Sequence, residues 1–229
     1  MQRRAKGWGL RAKAVCFDLD GVLVNTMPLH ARAWQEVCRA RGLQVPKREI
    51  YAWEGESGAV TARMLLRRRQ RSVTSAAVAG LLCDKETRFT ALARHVRVEP
   101  YLARLLSRLA KRGIRLSLVT GTSAGEVRRI VSPRILSMFG VVVTGDCVRH
   151  GKPHPEPYRT AMRRLGIRPR DAIVVENAPY GIRSARRAGA GLVIAIASSL
   201  PKRFLQEAHL VLGSAASLDA ALEPLVGRV

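Results

Sequence analysis

Ala14-Val15-Cys16-Phe17-Asp18-Leu19-Asp20-Gly21-Val22 joins a short apolar run to two aspartates and a glycine. The run over 14–19 lacks the polar–apolar alternation of a half-exposed strand, so it predicts a strand buried on both faces of a parallel sheet. Similar runs rich in Val, Ile or Leu recur at 116–119, 141–144, 172–175 and 192–197. The segments 100–112, 123–131, 155–166 and 179–189 between and after them have helical spacing. Gly113, Gly166 and Gly189 mark the ends of three of these segments, where a helix terminus favours glycine. Strands alternating with helices predict a doubly wound α/β fold built on a parallel, Rossmann-like sheet.

One interval departs from this rhythm. Almost a hundred residues separate the first run from the second, and none of them reads as a strand. Helical spacing covers 28–42, 57–70 and 73–95 instead, with Leu65, Leu66, Leu81, Leu82, Phe89 and Leu92 as an apolar stripe. A crossover needs only about a dozen residues, so the interval predicts an inserted all-helical cap. The expected division is a basic arm at 1–13, a catalytic core at 14–27 and 99–229, and a cap at 28–98.

Composition narrows the class. Of 229 residues, 47% are hydrophobic and 25% charged, as in an ordinary globular protein. No apolar stretch approaches the roughly 20 residues of a membrane span, and no signal-peptide pattern opens the chain, so a soluble cytoplasmic protein is expected. Cys16, Cys38, Cys83 and Cys147 form no Cys-x-x-Cys pair, which argues against a zinc ribbon or redox dithiol and for reduced thiols. The 40 Lys and Arg against 17 Asp and Glu give a net charge of +23. Such a field attracts polyanions. The arginines, however, are spread over nearly every expected helix without interleaved aromatic residues, unlike a single-strand binder. The densest cluster, Arg67-Arg68-Arg69 with Arg71, reads as a solvated helix face. Specific nucleic-acid binding is therefore not expected.

Ligands of open α/β sheets bind beyond the carboxyl ends of the strands. Asp18 and Asp20 end the first run, Thr120, Gly121 and Thr122 follow the second, and Gly151-Lys152-Pro153-His154-Pro155 lies past the third. Glu176 and Asn177 follow the fourth. Each has a plain reading alone: an Asp-x-Asp turn, a Thr120 helix cap, a surface lysine, a loop. Together they place carboxylates, a hydroxyl and an ammonium at one sheet edge, which suits phosphoryl transfer. A carboxylate can be a covalent nucleophile, and Mg²⁺ held by oxygens offsets its repulsion from phosphate. A lysine and a hydroxyl steady the phosphoryl oxygens, and a second acid moves protons.

Phe17-Asp18-Leu19-Asp20-Gly21-Val22-Leu23-Val24 resembles the first motif of the haloacid dehalogenase superfamily. Val119-Thr120-Gly121-Thr122 resembles the second, Gly151-Lys152-Pro153-x-Pro155 the third, and Val175-Glu176-Asn177-Ala178-Pro179-x-Gly181 the fourth. The insertion, opening with Asn25-Thr26-Met27-Pro28-Leu29-His30 and Ala33-Trp34, is similar to the helical cap of the subgroup that includes β-phosphoglucomutase and phosphoglycolate phosphatase. The resemblance implies Asp18 as nucleophile and Asp20 as general acid and base. It implies Mg²⁺ between the Asp18 carboxylate, the Asp20 carbonyl and the Glu176–Asn177 loop. Thr120, Gly121 and Lys152 would bind phosphate, and the substrate would be a small phosphorylated metabolite, bound by a monomer or weak dimer.

Asn177 stands where many relatives carry aspartate, as does Asn25. The cap offers His30, Trp34, Glu56 and Ser57 as substrate contacts, with core packing the first reading of Trp34. A sugar-phosphate mutase is the rival within the family. Mutases typically carry lysine and asparagine after the second motif and a cap arginine, where this chain has Ser123-Ala124 and Gly58. A phosphatase is the reading that fits, with a non-catalytic or nucleic-acid-binding protein on the same fold as the rival of another class.

Overall fold

The computed structural model describes residues 11–68 and 72–226. Six parallel strands form one sheet in the order β3-β2-β1-β4-β5-β6. They are β1 (Ala14–Phe17), β2 (Arg115–Val119), β3 (Val141–Val143), β4 (Ala172–Glu176), β5 (Leu192–Ile196) and β6 (Leu210–Leu212). The first five fall on the predicted runs. The three-residue edge strand β6 was not expected from the sequence.

β1 explains why both faces must be covered. Val15 and Phe17 join a cluster containing Leu116, Leu118, Ile173 and Val175. That face is packed by α5 (Pro100–Lys111), whose Leu102, Leu105, Leu106 and Leu109 are all buried. Ala14 and Cys16 point the other way, into a cluster with Val119, Val174 and Val193. There they meet α8 (Glu156–Arg164) through Tyr158, Ala161 and Met162, and α9 (Pro179–Arg187) through Ile182 and Ala185. Helices on both faces of a parallel sheet make the fold doubly wound, as predicted. Short helices α6 (Ala124–Ile130), α7 (Pro133–Leu136) and α10 (Leu218–Leu222) complete it.

Only helices lie between β1 and β2 before α5: α1 (Met27–Arg39), α2 (Lys47–Ala52), α3 (Gly58–Leu66) and α4 (Ser75–Leu92). Ser57 and Thr74 cap α3 and α4, each accepting a hydrogen bond from the backbone N–H three residues on. The apolar stripe divides in a way the sequence did not show. Leu65, Leu66 and Leu81 pack among the cap residues with Trp34, Val37 and Ile50. Phe89 instead belongs to the core beneath α5, with Leu92 against it. α4 thus runs from the cap into the body of the sheet domain.

Two charged features need correction or limit. Ala12 is hydrogen-bonded through its N–H to the Leu225 carbonyl at 2.9 Å, and Lys13 to the Asp171 carbonyl at 2.9 Å. The basic arm expected at 1–13 is therefore pinned at these two residues, and 1–10 lie outside the described residues. Of the arginine cluster, Arg68 pairs with Glu49 and lies 5.1 Å over the Trp53 ring, while Arg69 and Arg71 lie outside the described residues. All four cysteines are free. Burial pushes the Cys16 and Cys38 thiols up to about 11, so both stay protonated at neutral pH. No helix among the described residues is long and apolar enough to cross a membrane.

Leu106 of α5 has no exposed surface. Leu106→Ala should lower the free energy of unfolding by about 2–5 kcal/mol, through lost apolar burial plus a residual cavity. Urea unfolding followed by circular dichroism measures it.

Candidate active site

β1 is central, and the chain turns to opposite sides of it, through β2 and β3 on one side and β4 to β6 on the other. Loops that leave the carboxyl ends of β1, β2 and β4 diverge around this point and leave a crevice. Asp18, Asp20, Thr120 and Gly121 line a cavity of about 320 Å³ there, together with cap residues.

Lys152 lies beneath this crevice, 1% exposed. It is no surface lysine: its Nζ donates to Asp18 Oδ1 at 2.6 Å, to Glu176 Oε1 at 2.6 Å and to the Val119 carbonyl at 3.2 Å. Burial alone would lower its pKa, but the Asp18 and Glu176 charges outweigh burial and raise it, so Lys152 is an ammonium. Burial raises the Asp18 carboxyl well above its ordinary range, with the Lys152 charge opposing. Tyr158 also donates to Glu176 Oε1, at 2.7 Å. The Asn177 and Ala178 N–H groups reach Glu176 Oε2 at 3.0 and 3.4 Å. Both Glu176 oxygens are therefore occupied by donors.

Asp20 is surrounded differently. Thr26 and His30 contact its Oδ1, the latter through Nε2 at 3.1 Å. Thr122 donates to Oδ2 at 2.7 Å, and Thr120 lies at 3.3 Å from the same oxygen. Burial raises its pKa, yet His30, Thr26 and Thr122 together hold it below the usual carboxylate range. His30 is itself pushed down by burial and by the Lys85 charge. At neutral pH the His30–Asp20 contact is thus a hydrogen bond from a neutral imidazole. His30 stacks on Phe89 with ring centroids 3.8 Å apart, which fixes the ring against Asp20.

The remaining predicted residues separate. Asn177 is fully buried and donates through Nδ2 to Glu54 Oε1, across the cap–core boundary. Trp34 is 5% exposed and packs in the cap core while also bordering the cavity. Glu56 and Ser57 border the cavity too, but Glu56 Oε1 accepts from the Ser57 N–H at 2.9 Å and Ser57 caps α3. Thr120 does not cap α6, since that position belongs to Ser123. A Cβ at Gly58 would meet Leu82 Cδ1 at 2.6 Å, so a side chain at that position requires the Leu82 side chain to shift.

Glu54, Thr26 and Tyr158 were not singled out from the sequence, and Thr122 was named there without a role. Thr122 lies within the second motif and Glu54 stands one residue before the Gly55–Gly58 loop. Thr26 and Tyr158 carry no local signal of their roles. Two glycines are required by close approach. Gly21 has φ +80°, and a Cβ there would overlap the Asn177 side chain. A Cβ at Gly181 would overlap the Glu176 carboxylate.

The sequence profile described as haloacid dehalogenase-like hydrolase matches residues 15–195. This chain belongs to that family. Hexitol phosphatase A of Escherichia coli is 33% identical over 94% of this chain and 97% of its own length. The CbbY structure from Rhodobacter sphaeroides, in complex with phosphate, is 30% identical with a TM-score of 0.76, over 93% of this chain and 99% of that one. A β-phosphoglucomutase structure from Clostridium difficile superposes with a TM-score of 0.82 over 93% and 97% of the two chains. At 20% identity it shares the fold alone.

Removing Lys152 would leave two buried carboxylates without their counter-charge. Lys152→Met should cost about 3–5 kcal/mol of unfolding free energy. Tyr158→Phe, which removes one donor to Glu176, should cost about 1–3 kcal/mol. Urea unfolding in the presence of a chelator ranks the two.

Proposed function

We propose that the chain is a Mg²⁺-dependent phosphatase of small phosphate monoesters, with Asp18 as the nucleophile that carries the phosphoryl group. The observation that supports it most is the buried Lys152 ammonium, 2.6 Å from both Asp18 and Glu176, behind the Asp18 carboxylate that lines the cavity. It supplies a cation for incoming phosphoryl oxygens while both carboxylates keep it charged and in place. The phosphatase name carried by the Escherichia coli relative agrees with this reading.

The donor set fits a hard divalent cation. Asn177 Oδ1 and Glu54 Oε2 are buried and have no hydrogen-bond partner among the described residues. Unpaired buried oxygens are costly unless something satisfies them. Burial raises Glu54, and the nearby charges of Asp18, Glu176 and Asp20 raise it further. This repulsion is what a bound cation relieves. The Asp18 carboxylate, the Asp20 backbone carbonyl and Asn177 Oδ1 would hold Mg²⁺, with Glu54 beside them. Glu176, with both oxygens on donors, acts instead by orienting Lys152. When bound, Mg²⁺ neutralises the phosphate charge that would otherwise repel the carboxylates.

The chain's own residues account for the steps. An Asp18 carboxylate oxygen attacks phosphorus, and the bond to the leaving alcohol oxygen breaks. Protonated Asp20 gives its proton to that oxygen. Water then attacks the Asp18-bound phosphorus, its proton passes to Asp20, and the Asp18–phosphate bond breaks to return both groups. The donors around Asp20 favour its ionised form, the form that accepts the proton from water. Protonation for the first step is favoured when cap movement loosens His30.

Phosphate release from p-nitrophenyl phosphate should require Mg²⁺ and fall at least about 1,000-fold in Asp18→Asn. Undiminished release in the variant would overturn the assignment. Glu54→Ala should weaken Mg²⁺ binding about tenfold or more by isothermal titration calorimetry. Unchanged affinity would exclude Glu54 from the metal's surroundings.

A further inference from the structure

Part of the cavity wall is not used by the phosphoryl chemistry. Lys85 on α4 and Glu126 on α6 meet there, 5% and 4% exposed, with Nζ 3.5 Å from Oε1. That spacing gives Coulomb attraction without a hydrogen bond, and Glu126 Oε1 has no hydrogen-bond partner among the described residues. A buried carboxylate oxygen left in this way calls for a donor from elsewhere. Lys85 is held in place from the other side: its Nζ lies 4.8 Å over the Phe89 ring, and Phe89 stacks on His30. A fixed donor and a fixed acceptor thus stand side by side, on cap and core, where the alcohol part of a phosphate ester must lie.

The charge of the wall has the opposite sign to that of the chain. Glu56, Glu86, Glu126 and Asp146 border the cavity, and Lys85 is the one lysine or arginine among the described residues that does so. The net charge of +23 favours arrival of a phosphate ester from a distance. Inside, a leaving group with its own carboxylate would face like charges in a low-dielectric pocket. A hydroxyl group meets no such repulsion and can donate to Glu126 while accepting from Lys85.

We infer that Glu126 and Lys85 form the specificity pair of this site: they bind hydroxyl groups of an uncharged, polyhydroxylated leaving group and turn away esters whose leaving group carries a carboxylate. The inference rests on the phosphatase reading above.

Glycerol 3-phosphate and 3-phosphoglycerate test it, because one has a hydroxymethyl group where the other has a carboxylate. With the full chain and Mg²⁺, kcat/KM should favour the glycerol ester by at least about tenfold. Glu126→Gln keeps the side chain's size but removes its charge, and should narrow that ratio severalfold, mainly through KM. Lys85→Gln removes the opposing cation and should widen it. Equal use of the two esters by the wild type would overturn the inference while leaving the phosphatase standing. So would variants that slow both esters equally, as a purely structural cap–core clasp predicts. No phosphate release from either ester or from p-nitrophenyl phosphate would instead overturn the phosphatase reading itself.

Discussion

A single buried ammonium sets the arrangement of this molecule's crevice. Lys152 reaches it from the loop after β3, while Asp18 directly follows β1 and Glu176 ends β4, so the contact ties together three separate parts of the sheet edge. Burial drives the Asp18 carboxyl towards protonation, and the Lys152 charge opposes it. Tyr158 with the Asn177 and Ala178 N–H groups completes the shell around Glu176. Glycine at 181 follows from the same constraint, because no Cβ fits beside that carboxylate. A buried charge pair is weak evidence for stability as such. Its value here is positional: it fixes a cation directly behind Asp18, a carboxylate that lines the cavity.

The cap completes what the sheet begins. Thr26, just before α1, and His30 on α1 meet Asp20, and the loop before α3 brings Glu54 against Asn177. α4 carries Lys85 to Glu126 and then continues into the core through Phe89. Asp20, Asn177 and the outer wall of the cavity each contact at least one residue from the inserted segment. Cap position and the surroundings of the site are therefore coupled: whatever separates cap from core strips Asp20 of His30 and Asn177 of its partner. The strong positive charge of the surface does not extend to this wall, where carboxylates predominate.

Much of this was legible in the sequence for physical reasons. A strand buried on both faces must be apolar without alternation, which exposed β1 to β5. A site at the carboxyl ends of such strands must follow them directly in the chain, which exposed Asp18, Asp20, Thr120 and Glu176. β6 escaped because three residues at a sheet edge, two of them only partly buried, carry too little pattern. Lys152 was readable as a residue but not as the deepest cation of the site, since burial is not written in its neighbours. Glu54 and Asn177 are 123 positions apart, and Lys85 and Glu126 stand on different elements of cap and core. Convergence of that kind depends on how the two parts close, which no local spacing encodes. Phe89 failed for a related reason: helical periodicity gives the face of α4 but not which core that face meets.

The most direct test of the account is chemical capture of the phosphoryl group on Asp18. The protein would be quenched in acid during steady turnover of p-nitrophenyl phosphate with Mg²⁺, reduced with borohydride and mapped by peptide mass spectrometry. An acyl phosphate at Asp18 is reduced to homoserine, so homoserine at position 18 is the predicted result. Homoserine at another carboxylate, with Asp18 intact, would contradict the account and move the nucleophile elsewhere in the cavity.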